Sequence, residues 1–177
     1  KQYKESWLNK KKNLGIDPSS VRDTYTNLAG VYQTQGNYEE AMKLYKKSLE
    51  INKKNLGEDH SSVGDTYYNM AIVYQEQGNY EEAMKLYKKS LEIKKKNLGE
   101  DHSSVADTYN NMGLVYQKQG NSEEAMKLYK KALEIKKKNL GEDHSSDGDT
   151  YNNMAGVYQK QGNYEEAMKL YKKSLEI

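Results

Sequence analysis

The stretch DTYYNMAIVYQEQG, Asp65–Gly78, decides the fold. It returns as DTYNNMGLVYQKQG at Asp107–Gly120 and DTYNNMAGVYQKQG at Asp149–Gly162, and an earlier copy, DTYTNLAGVYQTQG, fills Asp23–Gly36. Self-similarity at a fixed period is the mark of a repeat architecture and outranks any local pattern. Val63, Tyr67, Met70, Ala71 and Tyr74 fall at i, i+4, i+7, i+8 and i+11, which is one face of a helix.

Working outward, Ser19–His60, Ser61–His102 and Ser103–His144 are near-copies with a period of 42 residues. Ser145–Ile177 is a fourth copy that stops early, and Lys1–Pro18 aligns with Lys43–His60 as the back half of a preceding copy. The organisation predicted is one solenoid over 1–177: a partial repeat (1–18), three full repeats (19–60, 61–102, 103–144) and a truncated one (145–177). Opening on Lys1 inside a repeat, the chain reads as a segment of a longer array. In the leading half-copy, Trp7-Leu8-Asn9 replaces Leu-Glu-Ile and suggests either an end-capping segment or a true N-terminal boundary.

Each unit carries two helical signals. Ser62 followed by Asp65 resembles a capping box, and Gly78 is placed to stop the first helix in the left-handed conformation. Asn79 then caps a second helix with Glu82 three residues on. Tyr80, Ala83, Met84, Tyr87, Ser90, Leu91 and Leu98 mark its buried stripe. Glu81 and Glu82 open it and Lys94–Lys96 lie near its end, the order a helix dipole favours. No strand pattern occurs, and the leading half-unit brings the expected number of helices to nine. Neither helix can bury its apolar face alone, so units must stack into an all-α, right-handed α-solenoid, a superhelix of antiparallel helix pairs.

Composition excludes several classes. Among 177 residues there is no Cys, so there is no disulfide framework, Cys-based zinc site or thiol nucleophile; this fits a reducing, cytoplasmic setting. Net charge is +2, which gives no support to nucleic-acid binding. No apolar run approaches the roughly 20 residues that span a bilayer. Every Gly is isolated, so no phosphate loop exists. His60, His102 and His144 sit a full repeat apart and read as helix-entry residues rather than metal ligands. Lys runs such as Lys94–Lys96 alternate with acidic turns and read as solvated helix ends. No catalysis and no cofactor are expected.

The string NMAIVYQEQGNYEEAMKLYKKSLEI resembles the tetratricopeptide repeat, with Tyr67, Met70, Ala71, Tyr74, Gly78, Ala83, Tyr87 and Ser90 at that pattern's positions. The usual period is about 34 residues. The longer unit, with LEIxxxxLGxDH leading to NNxAxVYxxQGxYEEA, is similar to the repeats of kinesin light chains and their relatives. Two features depart from it: the Pro closing the second helix is absent, and Ser61, Ser103 and Ser145 replace the Pro after His.

The resemblance implies that first helices line a concave groove holding a peptide or helix. Helical spacing agrees independently, placing 65, 68, 69, 72 and 76 on one face opposite the core stripe. Copies differ most along that helix. Thr26, Tyr68, Asn110 and Asn152 share one position; Gly30, Ile72, Leu114 and Gly156 another; Thr34, Glu76, Lys118 and Lys160 a third; Arg22, Gly64, Ala106 and Gly148 a fourth. Drift at exposed sites would also vary one face, but the Lys-rich face of the second helix hardly changes. Asn27, Asn69, Asn111 and Asn153 are constant and could hold a peptide backbone or bond a neighbouring helix. Asp23, Asp65, Asp107 and Asp149 read as capping residues that, if groove-facing, would disfavour acidic ligands.

The functional expectation is a scaffold binding a protein or peptide, with an apolar anchor at Tyr68, Ile72 and Leu114. The alternatives are a structural array that self-associates head-to-tail through its ends, or a sensor or spacer segment of a larger signalling protein. Neither nucleic acid nor membrane is an expected partner.

Overall fold

The structure, a computed structural model, describes residues 18–141 and 144–177. The leading half-copy, its expected helix and its end-capping reading lie outside the described residues.

Eight α-helices follow in order: α1 Pro18–Thr34, α2 Tyr38–Leu56, α3 Ser61–Glu76, α4 Tyr80–Leu98, α5 Ser103–Lys118, α6 Ser122–Leu140, α7 Gly148–Lys160 and α8 Tyr164–Glu176. No strand occurs among the described residues. Consecutive helices pack on one another, giving an all-α solenoid of stacked helix pairs.

Turn chemistry sets the hairpins. Gly36, Gly78, Gly120 and Gly162 end the first helices at φ of 75°, 75°, 82° and 77°, the left-handed region that costs glycine least. Asn79, Asn121 and Asn163 then accept the backbone N–H of Glu82, Glu124 and Glu166. Entry to the first helices falls at the histidines read as entry residues, but the capping differs from the sequence expectation. His60 and His102 cap α3 and α5, and His144 caps the short turn before α7; the Nδ1 of each accepts the N–H of Ser62, Ser104 or Ser146 at 3.2 Å. The Ser62–Asp65 capping box does not form, because the helix already begins at Ser61 and Asp65 lies beyond its first turn.

The core is segmented in register with the repeat. Ala83, Met84 and Tyr87 of α4 close on Ala71 of α3 and on Met112 and Val115 of α5. Ala41, Met42 and Tyr45 of α2 meet Met70 and Val73 in the same way. Ala125, Tyr129 and Leu133 of α6 meet Met154 and Val157. Leu98, expected in the stripe, is exposed at the helix end, while Ile93 is buried in its place. Gly113 stands where the other copies have Ala, and a Cβ there would lie 2.7 Å from the Tyr129 ring.

The lysine run at the end of α4 is a solvated end only in part: the Lys96 side chain is 65% exposed, but Lys94 is 3% exposed. Lys95 lies 5.5 Å from the Tyr109 ring centre and pairs with Glu100 at 3.5 Å. Lys96 pairs with Asp59 of the preceding linker, whose carbonyl also accepts from Asn97 at 2.6 Å. The second helix therefore ties down the linker before it, which supports the register of the stack.

Candidate protein-interaction face

First helices of successive units lie side by side, joined by polar contacts across the repeat. Asn111 of α5 donates to the Tyr68 hydroxyl of α3 at 2.5 Å. Asn153 of α7 donates to Asn110 Oδ1 of α5 at 3.4 Å. Gln33 of α1 donates to Glu76 Oε2 of α3 at 3.1 Å. Two of the four constant asparagines thus bond a neighbouring helix. Asn69 is half-buried and Asn27 exposed, and neither makes a side-chain hydrogen bond among the described residues.

The remaining sequence-derived positions fall as follows. Tyr68 is half-buried, edge-on to Tyr87 with ring centres 5.7 Å apart. Ile72 is half-buried on the same cluster, and Leu114 is half-buried on α5. Thr26 turns toward its own second helix, its hydroxyl 2.8 Å from Ser48 Oγ. Thr34 is exposed and donates to the Gly30 carbonyl. Asn152, Lys118 and Lys160 are exposed. A Cβ at Gly30 would have only the Tyr45 hydroxyl nearby, at 3.9 Å, whereas one at Gly156 would lie 3.1 Å from Gln117 Nε2. The variable position of Arg22, Gly64, Ala106 and Gly148 does not join this face. A Cβ at Gly64 would lie 3.0 Å from Ile93 Cγ2, and Ala106 is fully buried beside Ile135, so the position packs on the unit's own second helix.

Two rows on this face escaped the sequence reading. One is the glutamine row: Tyr45, Tyr87, Tyr129 and Tyr171 donate their hydroxyls to Oε1 of Gln33, Gln75, Gln117 and Gln159. The constancy of both residues at a twelve-residue offset was the available signal.

The other row is a buried cation between repeats. Lys94 Nζ donates to Thr108 Oγ1 at 3.3 Å, approaches Asp65 at 3.9 Å and sits 4.0 Å over the Tyr68 ring. Lys136 donates to the Ser146 carbonyl at 2.7 Å and approaches Asp107 at 3.8 Å. Burial pushes the Lys94 pKa down, opposed by the charges of Asp65 and Asp107. Burial likewise raises Tyr68 to about 12, with Asp107 adding to the rise and the Asn111 hydrogen bond opposing it. Asp65 and Asp107 are therefore counter-ions of the buried lysines rather than caps, with their carboxylates still 64% and 55% exposed. In the first unit Asn52 takes the lysine's place, bonding Ser62 O and Thr66, while Asp23 pairs with Arg22 at 2.8 Å.

Among the described residues no cluster of His, Cys, Asp or Glu could hold a metal ion, and no helix is long and apolar enough to cross a membrane.

Stacked helix pairs with first helices sharing one polar, apolar-centred face define a helical-repeat scaffold. The profile of the tetratricopeptide repeat matches residues 20–96 and 104–177, and the chain belongs to that family, whose fold serves protein interaction. No curated protein matches it significantly. Among solved structures it is similar to BtubC (BKLC) from P. vanneervenii, with 26% identity and a TM-score of 0.78 over 90% of this chain and 64% of that one. It is also similar to a Podosopora anserina protein described as a kinesin light chain with nearly identical TPR-like repeats, at 29% identity and TM-score 0.74 over 90% and 75% of the two chains. The repeats are thus of the kinesin-light-chain-like type, and the chain spans less than two thirds of BtubC's length.

Proposed function

We propose that the chain is an interaction scaffold that holds a peptide or helix of a protein partner against the face lined by α1, α3, α5 and α7. One observation carries this reading. Tyr68 and Ile72 of α3, packed on one cluster, and Leu114 of α5 are half-buried apolar side chains on a face otherwise largely polar, and the residues around them differ between copies. Gly30 and Gly156 leave them unflanked by larger side chains at either side. A cytoplasmic setting without nucleic acid, membrane or cofactor belongs to this reading, supported by the lack of Cys and the near-balanced charge.

The test starts from a partner identified by pull-down with the whole array. Ile72→Asp with Leu114→Asp is expected to abolish its binding, while Lys46→Asp on the outer face of α2 leaves it intact. Unchanged binding by the first variant would end the groove reading.

A second reading has its own observation. Tyr164, Met168 and Leu175 of α8 are 65%, 58% and 86% exposed, whereas the matching Met84 and Met42 are 9% and 7% exposed under the next first helix. This face is built to receive another first helix, as in head-to-tail association of copies. Light scattering across a concentration series decides: a constant monomer mass rules it out at those concentrations.

A further inference from the structure

The joint between the third and fourth units is built unlike the two before it. At the matching position of the second and third units, Val63 and Val105 are fully buried near the start of α3 and α5. Val105 belongs to an apolar cluster that ties α5 to Ala132 and Ile135 of α6, with Leu91 of α4 packed against it. In the fourth unit that position is Asp147, also fully buried, and neither of its carboxylate oxygens has a hydrogen-bond partner.

Among the described residues no cation pairs with Asp147. Lys136 of α6 is the buried cation of this joint, but its Nζ donates to the Ser146 carbonyl at 2.7 Å and to Thr150 Oγ1 at 3.4 Å, and its nearest carboxylate is Asp107 at 3.8 Å. The backbone differs too: Ser145–Asp147 is a 3-10 turn, and α7 has 13 residues where α3 and α5 have 16. A buried carboxylate without a partner weakens the closed joint and is relieved as soon as water reaches it. In a stack each unit is held only by its neighbours, so a weak joint lets the unit beyond it leave while the rest stays folded.

The other contacts of the joint go with it. Met154 and Val157 of α7 share a cluster with Tyr129 and Leu133 of α6, and Asn153 donates to Asn110 of α5 at 3.4 Å. All of these are lost together when α7 leaves.

We infer that Asp147 is a release point, at which α7 and α8 open from α6 as one unit, transiently and ahead of the rest of the chain. Opening removes the fourth first helix from the shared face and bares the Tyr129 and Leu133 side of α6, so the face alternates between four first helices and three. Only that consequence bears on the groove reading; the opening itself is independent of it.

The chain has no Cys, so one introduced thiol reports opening through its labelling rate. Ala71 on α3 and Ala155 on α7 are matching positions, both fully buried. In native buffer Ala155→Cys should react with a thiol reagent about tenfold or more faster than Ala71→Cys, because the rate follows the population of the open form when closing is fast. Adding Asp147→Val to Ala155→Cys should slow that labelling by about tenfold or more. Hydrogen exchange needs no cysteine and should give the same order: α7 and α8 amides lose protection together, ahead of α3 and α4, and Asp147→Val restores it. Equal labelling at the two positions, or equal protection of the two units, would mean that the chain opens only as a whole and would overturn the inference. Labelling of Ala155→Cys that Asp147→Val leaves unchanged would overturn it as well, because the release would then not lie at the carboxylate.

Discussion

Asp147 stands where the second and third repeats have Val63 and Val105, and replacing it with Val should stabilise the protein substantially. All three side chains are fully buried, but both carboxylate oxygens of Asp147 lack a hydrogen-bond partner. The local backbone differs as well: Ser145–Asp147 is a short 3-10 turn and α7 begins only at Gly148, whereas α3 and α5 start directly after their histidine caps. Fully burying a valine side chain contributes about 1.5–3 kcal/mol. Removing an unsatisfied buried polar group contributes about 1–3 kcal/mol more. Allowing for rearrangement of the turn, Asp147→Val should gain about 2–4 kcal/mol. At roughly 2–4 °C per kcal/mol for a chain of this size, Tm should rise by about 5–15 °C. Asp147→Asn, which keeps the orphaned polar atoms, should recover less than half of that. Thermal and guanidinium unfolding followed by circular dichroism measure both, with an unchanged m-value needed to read the midpoint as stability. An unchanged or lowered Tm for Asp147→Val would refute the reasoning, because it would mean that the carboxylate is satisfied in the folded chain.

Three further outcomes follow from the junctions. Asp65→Asn leaves the Lys94 ammonium buried with one counter-ion fewer and should cost about 1–3 kcal/mol. Lys94→Met should stay within about 1 kcal/mol of wild type and should partly rescue Asp65→Asn; urea midpoints showing Lys94→Met to be the worse variant would reverse this account. His102→Ala removes the α5 cap and should cost about 1 kcal/mol, while His102→Asp should retain most of it, as chemical denaturation will show. Stability should also fall at alkaline pH. Tyr68 is raised in the folded chain from 10.0 to about 12, so its contribution is complete below pH 10 and lost as pH rises toward 12. Lys94, lowered from 10.5, acts oppositely: its penalty is relieved as pH approaches 10.5 from below. Burial raises Tyr45, Tyr87 and Tyr129 as well. Tyr68→Phe should therefore reduce the loss between pH 10 and 12 without removing it in a pH series of unfolding midpoints, and an equally steep loss in that window would exclude Tyr68 as a contributor.

The fold was legible because repetition and helical period point the same way at every copy. Met70, Ala71, Ala83, Met84 and Tyr87 were recognisable as core because each recurs at the same helical offset, and an apolar stripe has only one place to go in a stack. The histidines were legible as helix-entry residues, but not as the capping groups themselves. A ring nitrogen can do the work of a Ser or Asp oxygen, so the nearest conventional pair, Ser62 and Asp65, drew the assignment instead. The buried lysines were hidden by composition: within KKK, nothing local distinguishes Lys94 from Lys96, and only the path of the next first helix decides which one is covered. The Tyr–Gln bonds join constant residues, and constancy within copies speaks for packing and binding alike.

Differences between copies therefore have two physical origins, and the charge bookkeeping separates them. Where Lys94 and Lys136 supply a cation to Asp65 and Asp107, the position of Arg22 is held by Gly64 and Ala106, packed tightly on their own second helices. Where that lysine is Asn52, Arg22 supplies the cation to Asp23 instead. The two changes compensate one another, so this variable position belongs to the stack rather than to a partner. No such compensation exists for Glu76, Lys118 and Lys160: they are exposed, and replacing an acid by a base there repairs no internal pair. Nor does any exist for the change from Gly30 to Ile72 and Leu114 and back to Gly156. Removing what the stack explains leaves these two positions, one and two turns beyond Tyr68 on α3, as the variation on which the proposed groove reading rests.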